Sequence, residues 1–240
     1  MAIITSLFHD SGYVRHKERD SEFINGAEFT LYHVTRSADF LRRYLPELGL
    51  AKDTGVASMI VHFTGYEVDL DDIELEDPRD VICGHLIGTA DMIAQMADRC
   101  YLEKCRDRLY KEFVLGGVAV ENSKPGEYMV RYKSGQDLLQ KTPVFYQQVM
   151  RDRLNLKFNR AYRYIEVLYD GHNPYIEAIR NNITHLVRII STGNWALLRR
   201  DPPYFLGVAD AVHEVESYVS EQLAALSGRA IEKDELLMPV

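Results

Sequence analysis

The 240-residue chain has only 3 cysteines and 1 tryptophan, and its basic residues are outnumbered, 28 Lys and Arg against 36 Asp and Glu. Cys83, Cys100 and Cys105 are odd in number and form no C-x-x-C pair, which excludes a disulfide framework and a zinc-finger spacing. They read instead as reduced thiols packed as small apolar groups. The net charge of -8 leaves no global basic field for nucleic acid or anionic lipid, so neither is an expected partner. Small molecules, metal cations and other proteins remain.

Long apolar runs are also missing, and nothing approaches the roughly 20 residues of a membrane span. The opening "MAIITSLFHDSGYVRHKERD" lacks the basic start of a secretory signal, so a cytoplasmic location is expected. There is no Walker loop, no G-x-G-x-x-G after a strand, no H-E-x-x-H and no G-x-S-x-G elbow.

What is present is helix. Hydrophobic residues make up 46% of the chain, ample for a core. Ile24, Ala27, Leu31, Val34, Ala38, Leu41 and Leu45 recur in steps of three and four, the stripe of one helix that Pro46 and Gly49 close. "DTGVASMIVHF" predicts a short central helix whose polar exception is His62. The acids from Glu67 to Asp80 face one base, Arg79, and read as a solvated loop.

Asp77-Pro78 places an N-cap before a first-turn proline and predicts a long helix to about Phe113. Thr142-Pro143 and Asn173-Pro174 repeat the device, and Ser134 with Asp137 resembles a capping box. "GGVAVENSKPGEYMVRYKSG" predicts a loop or hairpin, while "FNRAYRYIEVLYDG" and "LGVADAVHEVESYVSEQLAAL" continue the helices. The expected fold class is all-α, in one compact unit, alone or as a homodimer.

A helix carrying Tyr32-His33, a second ending at His62 plus one residue, and a third reading "GTAD" up to Asp91 together resemble the first half of an HD-domain phosphohydrolase of the cyclic-nucleotide-phosphodiesterase kind. The resemblance implies an HD-domain-like helical core over residues 1–120 and a helical C-terminal extension over 121–240. It further implies that His33, His62 and Asp91 hold a divalent metal ion, manganese, iron, zinc, nickel or magnesium, against a nucleotide or other small phosphate ester. Histidine nitrogen and carboxylate oxygen suit such metals. Arg36, or an arginine of the 99–108 segment, would steady the phosphate charge, with His85 or Glu67 assisting at the metal.

Two positions depart from the family pattern. Phe63 stands where the resemblance asks for the aspartate of the namesake His-Asp pair, and Ser37 where the phosphodiesterase branch has a second histidine. A phenyl ring offers no lone pair, so the expected centre is a single-metal one. The alternative is a pseudoenzyme, an HD-like scaffold serving as ligand sensor or interaction module. Without a metal, Asp91 or Asp98 is expected to bond an arginine, with Arg36 an obvious candidate.

Overall fold

The structure, a computed structural model, describes residues 1–124 and 127–201 and four isolated positions beyond them, Ser217, Ser220, Glu221 and Ala224. Among the described residues the fold is all-α apart from one hairpin, β1 (Val120–Lys124) antiparallel to β2 (Glu127–Val130), within the stretch "GGVAVENSKPGEYMVRYKSG" that predicts a loop or hairpin. The helices are α1 (Ala2–Phe8), α2 (His33–Glu47), α3 (Thr54–Ile60), α4 (Pro78–Ala97), α5 (Tyr101–Lys104), α6 (Tyr110–Leu115), α7 (Gly135–Gln148) and α8 (Pro174–Thr192). None is long and apolar enough to cross a membrane among the described residues. The helix expected over "LGVADAVHEVESYVSEQLAAL" lies almost wholly outside them.

Caps written locally in the sequence start helices where they predict. Asp77 accepts from the Arg79 N–H at 2.8 Å, Ser134 from that of Asp137 at 3.1 Å, and Asn173 from those of Tyr175 and Ile176 at 3.0 and 3.2 Å. Thr142-Pro143 is the exception, because α7 runs straight through it. The buried Thr142 hydroxyl donates back to the Leu138 carbonyl at 2.9 Å, which keeps the chain helical instead of capping a new start. Beyond α7 the helix widens into a π-helix over Val149–Lys157.

Three expected helices are shorter or tighter than their periodicity predicts. The stripe from Ile24 becomes helix only at His33, because Asn25 caps a separate 3-10 turn over Gly26–Phe29 and leaves Ile24 and Leu31 exposed. The long helix from Pro78 ends at Ala97. There Asp98 turns extended, and its carboxylate accepts from the Cys100 N–H at 2.6 Å and Lys104 Nζ at 2.5 Å. Buried Asn182 on α8 donates to the Met96 and Asp98 carbonyls, both at 2.9 Å, and so takes up the free acceptors of the broken end. "FNRAYRYIEVLYDG" forms a 3-10 helix over Ala161–Leu168.

Two apolar clusters hold the described residues. Val34, Ala38, Leu41 and Leu45 of α2 pack on Ala57 and on Val61 just past α3, with Met1, Ile4 and Phe8 around α1 closing one side. The larger cluster runs from Phe63 through Ile93, Leu102 and Leu139 to Phe158 and Leu186, so it draws on both sides of residue 120. The end of α1, the start of α2 and the middle of α4 meet beside the smaller cluster.

Candidate functional site

The site begins where α1 stops. His9 follows the last turn of α1, and Asp10 leads into a 3-10 turn over Ser11–Tyr13. Gly12 brings this turn against the first turn of α2: a β-carbon there would lie 1.8 Å from the His33 carbonyl oxygen, so only glycine permits the approach. Ser37 closes the junction. Its hydroxyl accepts from the Gly12 N–H at 2.8 Å and donates to the His33 carbonyl at 2.9 Å.

The approach sets two histidines on either side of one carboxylate. His9 Nε2 lies 3.4 Å from Asp10 Oδ2 and 3.4 Å from Asp91 Oδ1, and His33 Nε2 lies 3.7 Å from Asp10 Oδ1. Both rings are held the same way from behind. His9 Nδ1 donates to the Ser6 carbonyl at 2.7 Å, and His33 Nδ1 to the Thr30 carbonyl at 2.8 Å. A carbonyl only accepts, so each Nδ1 carries hydrogen and each Nε2 is the nitrogen turned to the acids. Tyr13 stacks on the His33 ring at 4.2 Å and donates its hydroxyl to Glu112 at 2.9 Å.

Asp91 completes the group from α4, where Gln95 one turn on donates to it at 2.7 Å. Its hydrogen bond and the nearby charge of Asp10 outweigh burial and raise the His9 pKa to about 9. As the side chains stand, no three His, Cys, Asp or Glu among the described residues are arranged to hold a metal ion. The cluster is drawn together by hydrogen bonds and charge.

His62 lies off this cluster, on a 3-10 turn over Val61–Thr64. Its Nδ1 is buried without a partner, and burial holds its pKa below the ordinary value despite the opposing charge of Glu67. Glu67 leaves the acidic loop and returns to the start of α2, accepting from the Val34 and Thr35 N–H groups at 2.7 and 2.8 Å. The same carboxylate stands 3.8 Å from His33 Nδ1. The three residues expected to act together are therefore not brought together: Asp10 and His9 stand between His33 and Asp91, while His62 lies apart, within reach of the charge of Glu67.

Arg36 faces away from that cluster. It pairs with Asp20 at 2.7 Å, donates to the Gly12 and Val14 carbonyls and lies 3.7 Å over the Phe29 ring. This corrects the expectation that Arg36 answers Asp91 or Asp98, whose cationic neighbours are His9 and Lys104. The guanidinium holds the Asp20 carboxyl at about 2. His85 is flanked by Phe63 and Phe158 at ring distances of 5.7 and 5.9 Å, and burial lowers its pKa.

Phe63 is 4% exposed and packs in the larger core. Buried Arg153, from the π-helix, donates to the Phe63 carbonyl at 3.2 Å and to the Gly65 carbonyl, and so fixes the strand of chain that carries His62 and Glu67. Sequence reasoning missed His9 and Asp10, although the adjacent His-Asp dipeptide stands in plain view in "LFHDSGY". No curated protein and no solved structure matches the chain. A family model does match over residues 1–188, a span that holds every residue of the cluster, and the chain belongs to the Npun_R2479-like family.

Proposed function

We propose that His9, Asp10, His33 and Asp91 form a divalent-metal centre of the HD-domain kind, and that the chain is a metal-dependent phosphohydrolase acting on a nucleotide or other small phosphate ester. In this reading His9-Asp10 is the namesake pair, so Phe63 need not supply a carboxylate. The observation that carries it is the matched pinning of two imidazoles, each Nδ1–H on a backbone carbonyl and each Nε2 directed at Asp10. Metal-binding histidines are oriented by such outer bonds.

Metal bonds of about 2.1 Å put the ligand atoms of a tetrahedral site roughly 3.4 Å apart. The His9–Asp10, His9–Asp91 and His33–Asp10 separations of 3.4, 3.4 and 3.7 Å are near this, but the two histidines meet different Asp10 oxygens, so the side chains would have to shift to share one ion. A divalent cation held there would supply a Lewis acid for a phosphoryl oxygen and acidify water. The chain's own part is orientation: Ser6 and Thr30 set the rings, Gln95 holds Asp91, and Ser37 with Gly12 docks the namesake turn. His62, with its unpartnered nitrogen beside Glu67, is the place for an auxiliary ligand.

A second reading, a scaffold that senses a ligand without catalysis, draws on Arg36 being spent on Asp20 and on His85 lying between two phenyl rings. Elemental analysis of tag-free protein separates the two. About one metal per chain, lost in His9→Ala and in Asp91→Asn but kept in His85→Gln, is the expected result. A folded parent that takes up none of manganese, iron, zinc, nickel or magnesium would refute the metal centre.

A further inference from the structure

Two hollows lie away from the histidine cluster, between the π-helix, the 3-10 helix over Ala161–Leu168 and the start of α8. Two adjoining cavities of about 540 and about 810 Å³ share Asn155, Arg160, Arg163, Glu166 and Gly171 in their walls. Pockets of this size hold small organic ligands. No residue of the His9 cluster lines either one.

Arginine is in slight excess in the smaller cavity, which adds Arg180 of α8 to Arg160 and Arg163. Two carboxylates, Glu166 and Glu177, share the wall, and Glu166 is already bonded to Arg163 at 3.1 Å. Among the described residues neither Arg160 nor Arg180 has an ion pair, in a chain of net charge -8 where acids outnumber bases. Tyr162 donates to Asn155 Oδ1 at 2.8 Å, which turns the amide so that its NH₂ is the end left for a ligand.

The backbone is bent to make this wall. Asn159 and Arg160 are consecutive non-glycine residues in the left-handed region, with φ of 47° and 58°, and Asp170 at 49° and Gly171 at 89° turn the chain at the far end of the same 3-10 helix. Side chains rarely accept that conformation, and such turns gather where a side chain must be aimed. Here the first turn aims Arg160, and it is held by the Arg160 N–H on the Leu154 carbonyl at 2.9 Å inside the π-helix. Unusual π-helical segments are often found at functional sites.

We infer that this arginine cavity binds a small phosphate-bearing organic anion. Guanidinium forks match phosphate oxygens, and paired arginines favour a multiply charged group over one carboxylate. The inference stands independently of the metal reading, since it uses none of the same residues.

Titration calorimetry of the full chain in EDTA, with inorganic pyrophosphate and separately with citrate as probes, tests it. Pyrophosphate binding that weakens at least tenfold in Arg160→Met and in Arg180→Met, and is unchanged in Asp91→Asn, is expected. Both arginines are exposed, so the variants should fold, and matched thermal melts verify this. No heat at millimolar pyrophosphate, equal binding by the double variant, or a preference for citrate would each overturn the assignment.

Discussion

Position 63 decides whether the Phe63 site is a core position or the remnant of a ligand, and its packing makes a quantitative forecast. The ring is 4% exposed and lies against α4, where a β-carbon on Gly84 would sit 2.7 Å from two of its atoms. Removing a buried phenyl ring costs its transfer free energy and leaves a cavity, about 3–5 kcal/mol for Phe→Ala. At roughly 2–4 °C per kcal/mol for a chain of this size, Phe63→Ala should lower Tm by about 10 °C. Gly84→Ala alone should cost ~1–3 kcal/mol, because the new methyl group meets the ring.

Combining the two reverses the second sign. With the ring gone the methyl group has room, and alanine in a helix interior gains about 1 kcal/mol over glycine. The coupling between the substitutions should therefore be ~2 kcal/mol or more, measured by urea unfolding of the parent, both single variants and the double. An equal cost for Gly84→Ala in both backgrounds would refute the packing argument. Metal content of the folded Phe63→Ala protein should match the parent, since no ligand of the proposed centre has been touched.

Two further outcomes follow from the start of α2. Glu67→Ala removes the carboxylate that receives two N–H groups of that helix, so urea unfolding should show a loss of about 1–2 kcal/mol, and no measurable change would remove its capping role. The Asp20–Arg36 pair sets an acid limit. A carboxyl held at about 2 when folded and near ~3.9 when unfolded contributes stability that is whole above the higher value and lost as pH falls to the lower. Acid unfolding followed by circular dichroism should show a smaller stability change between those values in Arg36→Met than in the parent, and identical profiles would sink the pair's role.

Helix starts were legible because their determinants are adjacent in sequence: Asp77 beside Pro78, Asn173 beside Pro174, Ser134 three residues before Asp137. Helix ends were not, because distant residues settle them. At the break, Asn182 donates to the Met96 and Asp98 carbonyls, and no periodicity in "DRCYLEKCRDRLYKEF" records that partner. Likewise the helical stripe from Ile24 counts apolar positions but cannot register that Asn25 bonds Ala27 and opens a separate turn. The candidate site divides in the same manner. His33 and Asp91 are visible as members of helices, whereas His9 gains its meaning only when folding carries it to 3.4 Å from Asp91.

The two departures from the HD pattern acquire physical roles once that contact is known. A histidine at position 37 would replace the hydroxyl that accepts from Gly12 and donates to the His33 carbonyl, and so would unfasten the turn bearing His9 and Asp10 from α2. An aspartate at position 63 would bury a carboxylate against Phe158 and His85 at the glycine face of α4, where desolvation costs several kcal/mol. Serine at 37 thus fastens the turn bearing His9 and Asp10 to α2, whereas phenylalanine at 63 fills the core beside α4.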